Sequence, residues 1–170
     1  MANHIVLYNP AIPQNTGNIM RTCVATNTKL HLIKPLGFSL DDKYLKRSGL
    51  DYIQYLDYTV YENWKEFKET NKGEYYYLTR YSKKNYSDFD FSDYDNEWYF
   101  ILGHEHTGIP HEILKEELEH CMRIPMSGHV RSLNLSNCAM MIVYHALQLQ
   151  DFPGLSKVEV QKGEDFLYEE

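Results

Sequence analysis

Two stretches of this 170-residue chain carry polar side chains at spacings that could do chemistry. RSLNLSN, residues 131–137, crowds Ser132, Asn134, Ser136 and Asn137 just ahead of an apolar run that reads as a buried helix. In NTGNIMRTC, Asn15, Asn18 and Arg21 recur three apart and so share one helical face. Serine and asparagine at a helix start satisfy the first-turn amides, which accounts for one or two of the four residues in the first stretch. The remainder are available to line a ligand site. Arg21 reads either as an exposed arginine on a capped helix or as a planar donor fork that holds a phosphate or carboxylate.

GHEHTG is the third candidate, because His104, Glu105 and His106 are adjacent. It is not HExxH, and a zinc site needs at least one more ligand than His104 and His106 supply, so no metal is expected. A loop in which Glu105 accepts backbone hydrogen bonds fits better. Neither GxGxxG nor GxxxxGK[ST] occurs, which disfavours a standard dinucleotide fold and a P-loop enzyme.

The elements that must position these residues follow from pattern. HIVLY (4–8), KLHLIKP (29–35), YIQYL, YYYLT (75–79), WYFILG (98–103) and CMRIPM read as strands. Between them come helical stretches: one that Asn15 or Thr16 would cap, a short DDKYLKRSG ended by Gly49, an amphipathic VYENWKEFKETNKG, and IPHEILKEEL with Pro110 near its first turn. A closing helix runs from near Asn134 to about Gln150. Strands alternating with helices predict an α/β domain, a mostly parallel sheet flanked by helices, over residues 1–155 with a flexible tail at 156–170. In such a sheet ligands bind beyond the carboxyl ends of the strands. YYYLTR, FILGHEHTGIP and RIPMSGHVRSLNLSN end three late strands in small or polar residues, and together would form a backbone-lined pocket suited to an adenosine-like molecule.

Composition sets the outer limits. Three widely spaced cysteines, Cys23, Cys121 and Cys138, fit neither a disulfide framework nor a zinc ribbon and suit a reducing cytoplasm. No secretory signal is recognisable, and no apolar run approaches the ~18 residues of a membrane span. The net charge of −7 argues against binding nucleic acid by bulk electrostatics alone, although Lys34, Lys43, Lys46 and Arg47 fall in one short region.

IPQNTGNIMRTC, LGHEHTGIP and RIPMSGHVRSLNLSN resemble the three motifs of the SPOUT RNA methyltransferases, in that family's order and spacing. The match is nearest to the subgroup that methylates the ribose 2′-hydroxyl at the wobble nucleotide of leucine tRNAs, and it runs from HIVLYNP to about Pro153. The resemblance implies a C-terminal trefoil knot, a bound S-adenosyl-L-methionine and a homodimer. It places the cofactor at Leu78 and Thr79, at Gly103, Glu105 and Gly108, and at Ile124, Met126, Ser132, Leu133 and Asn134. It puts Asn15, Arg21, Glu105, Ser132 and Asn134 at active-site positions and Tyr144 near the subunit contact. Three residues depart from the pattern: Leu102 where phenylalanine is expected, His104 in place of arginine or proline, and His145 in place of glutamate, a charge change expected to affect the interface.

The expected substrate is a tRNA anticodon arm, held by Lys43, Lys46, Arg47 and Arg131, with exposed tyrosines such as Tyr81 or Tyr86 available to stack on splayed bases. Arg21 is expected to hold the target phosphate and stabilise a developing alkoxide, with Asn15 and Ser132 orienting it or the ribose, and Glu105 fixing the loop or holding Arg21. Competing readings are a ribosomal RNA ribose as target and a non-catalytic RNA-binding or assembly factor. A small-molecule α/β enzyme lacks a recognisable nucleophile–base pair.

Overall fold

The computed structural model describes residues 2–41, 43, 45, 47 and 52–169. Six parallel strands form one sheet in the order β3-β2-β1-β5-β4-β6. They are β1 (Ala2–Tyr8), β2 (Lys29–Ile33), β3 (Tyr58–Tyr61), β4 (Glu74–Leu78), β5 (Glu97–Leu102) and β6 (Cys121–Met122). The described helices flanking it include α1 (Pro13–Ala25), α2 (Trp64–Thr70), α3 (His111–Glu116) and α4 (Leu135–Leu149).

Both faces of the central strands are buried, which is why β1 and β5 are continuous apolar runs and not alternating ones. Side chains still point to opposite faces with period two. Ile5, Leu7, Phe100 and Leu102 therefore join α1 and α4 in one core, with Ile19, Met20, Cys23, Ile142, Val143 and Ala146. Val6, Tyr99 and Ile101 face the other side, packing with Phe67 of α2 and Leu114 of α3.

Two expected strands differ. In YIQYL, Ile53–Tyr55 is a 3₁₀ turn, and the strand begins later, at Tyr58. The register explains this: Leu30 of β2 pairs with Tyr58 and Ile33 with Tyr61, while Leu56, just past the turn, packs against the first core. CMRIPM pairs with β4 only through Cys121 and Met122. Arg123 leaves that ladder to donate its amide to the Lys84 carbonyl (2.9 Å), and Pro125 has no amide to continue it. Of the expected helix DDKYLKRSG, Lys43, Leu45 and Arg47 have helical backbone; Lys46 and Gly49 lie outside the described residues. The tail at 156–170 carries no α-helix or strand over its described part and is largely exposed.

The α2/α3 side of the sheet buries a polar chain. His4 Nδ1 and His31 Nε2 are 2.8 Å apart, His31 Nδ1 meets the Tyr61 hydroxyl at 2.9 Å, and His4 Nε2 meets the Glu97 carboxylate at 2.5 Å. Both rings are buried against Tyr99. Burial lowers the pKa of both histidines, that of His31 to about 3 with the adjacent His4 adding to the effect. A histidine whose folded pKa lies below its unfolded value of about 6.5 takes up its proton preferentially in the unfolded chain. Its contribution to stability is complete above about pH 6.5 and is lost as pH falls toward 3. The unfolding midpoint should fall across that range, and fall less steeply in His31→Gln; equal slopes for the two proteins in a urea or thermal series would contradict this.

Candidate active site

Three strand exits and the start of α1 converge on one cavity of about 560 Å³, within the size range of small-ligand pockets. Leu78 and Thr79 enter from the end of β4, Gly103 to Ile109 from the end of β5, Ile124 and Met126 from beyond β6, and Arg131 to Leu135 from the entrance of α4. Ile12 and Asn15 close it from α1.

The first helix begins differently from expectation. Pro13 occupies its first turn and Ile12 is the N-cap, with no side-chain cap of its own. Proline suits that position because its missing amide would be unpaired there anyway. Asn15 and Thr16 sit inside the helix, and the neighbouring amides are satisfied from a distant part of the chain. Glu105 accepts from the amide of Ala11 (2.8 Å) and that of Ile12 (3.0 Å), with the Asn15 side-chain amide farther off at 3.5 Å. Partial burial of Glu105 works against ionisation, but these backbone donors outweigh it and hold its pKa below the ordinary carboxylate value. The clamp therefore persists into mildly acidic solution.

Asn15, freed from capping, is buried, and its Oδ1 accepts from Asn134 Nδ2 (3.1 Å). Asn134 in turn caps α4: its Oδ1 accepts from the amides of Ser136 (2.9 Å) and Asn137 (3.3 Å) and from the Ser136 hydroxyl (2.6 Å). The crowding in RSLNLSN thus divides. Asn134 and Ser136 form the cap, Asn137 contributes its backbone to it, and Ser132 lines the cavity.

The loop after β5 is built for close backbone approach. His104 and Gly108 exchange two backbone hydrogen bonds, and His104 Nδ1 accepts from the amides of His106 (3.0 Å) and Thr107 (3.3 Å). A Cβ added to Gly103 would lie 2.3 Å from the Gly108 carbonyl carbon, and Gly108 itself has φ +72°. Both positions therefore need glycine. His104 acts here as a turn former, and among the described residues no group of three or more His, Cys, Asp and Glu could hold a metal ion.

The cavity gathers every residue expected to hold the cofactor: Leu78, Thr79, Gly103, Glu105, Gly108, Ile124, Met126, Ser132, Leu133 and Asn134. Arg21 is not among its lining residues. Its guanidinium donates to the Tyr52 hydroxyl (3.0 Å) and lies 4.8 Å from the centre of that ring. Glu105 does not hold Arg21 as expected: its oxygens go to Ala11, Ile12 and Asn15. Of the expected RNA-binding cations, Arg131 lines the cavity, Lys43 and Arg47 are exposed elsewhere, and Lys46 lies outside the described residues. Tyr144 is 36% exposed on α4, as is its neighbour Met140 at 51%. His145 turns inward instead, its ring edge-on to Tyr86 (4.8 Å) and Phe91 (6.0 Å), and burial lowers its pKa. With its Nε2 buried, the ring belongs to the packing and not to the exposed face of α4.

Sequence reasoning passed over Arg80 and His111, which also line the cavity. The signal was present in TRYSKK, where cations flank an aromatic residue directly after a strand exit.

Residues 2–144 match the model of the SpoU rRNA Methylase family. A protein of Geobacillus stearothermophilus, provisionally named tRNA (cytidine(34)-2′-O)-methyltransferase, is 54% identical over 157 residues, covering 92% of this chain and all of its own. The tRNA (cytidine(34)-2′-O)-methyltransferase of Methylovorus glucosotrophus is 47% identical over 152 residues, 88% of this chain and 97% of that one. A solved structure described as giving insights into the 2-OH methylation of C/U34 on tRNA superposes with a TM-score of 0.81 at 34% identity, covering 88% of this chain and 97% of its own.

Asn134→Ala removes the α4 cap and the partner of Asn15 together, and should lower the free energy of unfolding by about 1–2 kcal/mol. Gly103→Ala should cost more, because backbone and not a flexible side chain must move. Urea unfolding measures both; an Asn134→Ala protein as stable as the parent would show that the cap is dispensable.

Proposed function

Because the chain belongs to the SpoU methylase family, we propose that it methylates the ribose 2′-hydroxyl of the wobble nucleotide, position 34, of leucine tRNAs in the cytoplasm. The names of the relatives support the tRNA position, and the convergence of all three motif loops on one cavity carries the reading. The methyl donor is S-adenosylmethionine, the cofactor of this family. The residues present fit it: Leu78, Ile109, Ile124, Leu133 and Cys138 give apolar walls for a flat base, and Ser132, Asn134 and the backbone of 103–108 give a polar edge. When bound, it supplies a methyl group for in-line displacement by the ribose oxygen, with the sulfur as leaving group.

The protein's own part is positioning. Leu78, Thr79, Gly103, Gly108, Ile124, Met126, Ser132 and Leu133 would bind the donor. Glu105, Asn15 and Asn134 are positioning residues: their mutual bonds hold the loops and α1 in place. Ser132 would orient the ribose. Arg21 would bind the target phosphate and stabilise charge as it develops on the 2′-oxygen. Arginine stays protonated in proteins, so the hydroxyl proton leaves through phosphate or water. Lys43, Lys46, Arg47 and Arg131 would supply local positive surface for the anticodon arm.

Residues 1–155 would act as one catalytic domain in a homodimer joined near Tyr144, with 156–170 a tail outside it. Support for the dimer is the exposure of Met140 and Tyr144, four residues apart on the outer face of α4. Support for a trefoil knot is the resemblance of the three loops to the SPOUT motifs; residues 123–134 leave β6 at the edge of the sheet and return to α4, packed on α1 and β1.

Labelled S-adenosylmethionine and total RNA test the reading: label should enter tRNA and map to the 2′-oxygen of nucleotide 34. Label in ribosomal RNA would favour the second target, as the family's description suggests, and cofactor binding without turnover on any RNA would favour a binding factor. Arg21→Ala should abolish methylation while S-adenosylhomocysteine affinity, measured by calorimetry, stays unchanged; retained turnover would remove Arg21 from its role. Affinity for the anticodon arm should fall as salt rises, and a flat response would exclude the phosphate contacts.

A further inference from the structure

Beyond β4 the chain runs through Thr79-Arg80-Tyr81-Ser82-Lys83-Lys84, and this segment is held at both ends. The Tyr81 amide donates to Thr79 Oγ1 (3.2 Å), Ser82 Oγ donates to the Cys121 carbonyl (2.7 Å), and the Lys84 amide donates to Ser82 Oγ (3.0 Å). Arg123 Nη1 donates to the Arg80 carbonyl (3.3 Å). On this fixed backbone the Tyr81 ring stands 65% exposed at the cavity wall. The Arg80 guanidinium lies 4.9 Å from the ring centre, and the His111 imidazole meets it edge-on at 5.5 Å. Tyr86, the other tyrosine of the segment that follows, is packed against His145 instead.

The charge around this ring is one-sided. Arg80 and Arg131 line the cavity, and among the described lining residues Glu105 is the one carboxylate, with its oxygens already accepting from α1. A protein of net charge −7 thus presents cations and an aromatic–guanidinium pair at the wall of this cavity. Flat π-faces and guanidinium planes are the surfaces on which unstacked nucleobases are held, and cations beside them take the connecting phosphates.

We propose that Arg80 and Tyr81, braced by His111, form a stacking platform for a base adjacent to the methylated nucleotide, with Arg80 and Arg131 receiving its phosphates. The inference rests on the reading that the substrate is RNA. It makes Tyr81 a substrate-positioning residue of sequence-tolerant character, since every base has a π-face.

The test uses the full-length protein, an anticodon stem-loop RNA with cytidine at the wobble position, and S-adenosylhomocysteine. RNA affinity is followed by fluorescence anisotropy over a salt series, and S-adenosylhomocysteine affinity by calorimetry. Tyr81→Ala should weaken RNA binding about tenfold with the salt slope and S-adenosylhomocysteine affinity unchanged, and Tyr81→Trp should restore it. Arg80→Gln should also weaken RNA binding, but with a salt slope shallower by about 0.7–0.9. Wild-type RNA affinity in Tyr81→Ala overturns the platform while leaving the RNA reading intact. A parallel loss of S-adenosylhomocysteine affinity overturns it too, by assigning the ring to the donor's wall. Absence of RNA binding by the wild-type protein overturns both.

Discussion

The Glu105 carboxylate on the amides of Ala11 and Ile12 is the contact on which the site depends. It ties the loop after β5 to the loop after β1, and so fixes where α1 begins. From α1 the Asn15 side chain reaches Asn134, which caps α4 and anchors the end of the third loop. One carboxylate and two asparagines thereby join chain segments about ninety to one hundred and twenty residues apart. Glu105 and Asn134 also satisfy backbone amides at the entrances of α1 and α4, so stability and site geometry rest on the same bonds.

The sheet supplies the rigid floor. Its strands are parallel, so all their carboxyl ends open on one edge, and β1, β5 and β4 are neighbours there. Apolar burial on both faces leaves those ends little freedom to shift. The buried His4–His31–Tyr61 chain lies on the α2/α3 side and contributes no residue to the cavity wall. Its acid sensitivity is a property of the fold.

Much of the site was legible in the chain because its residue types are restrictive. A glycine that tolerates no Cβ at 103, a proline in the first turn of α1 and an asparagine that caps α4 each do something few other residues can. The cofactor-loop positions drawn from the SPOUT resemblance all fall on the cavity wall. Less legible were short elements. YIQYL has strand-forming residues yet turns, because β2 takes Tyr58–Tyr61 as its partner. CMRIPM stops pairing after Met122, where β4 ends and Arg123 finds Lys84.

From the sequence alone came the parallel α/β class, the strands with unbroken apolar runs, the polar entrance to the last helix and the resemblance that named the loops. Tertiary structure decided the partners. Glu105 went to the start of α1, Asn15 to Asn134, Arg21 to Tyr52, and His145 inward against Tyr86 and Phe91. The division has a physical cause. Propensity and periodicity act over a few residues, whereas a side chain's partner is set by which strands lie side by side, and here sheet order puts β1 next to β5 and β4 next to β6 across long stretches of chain.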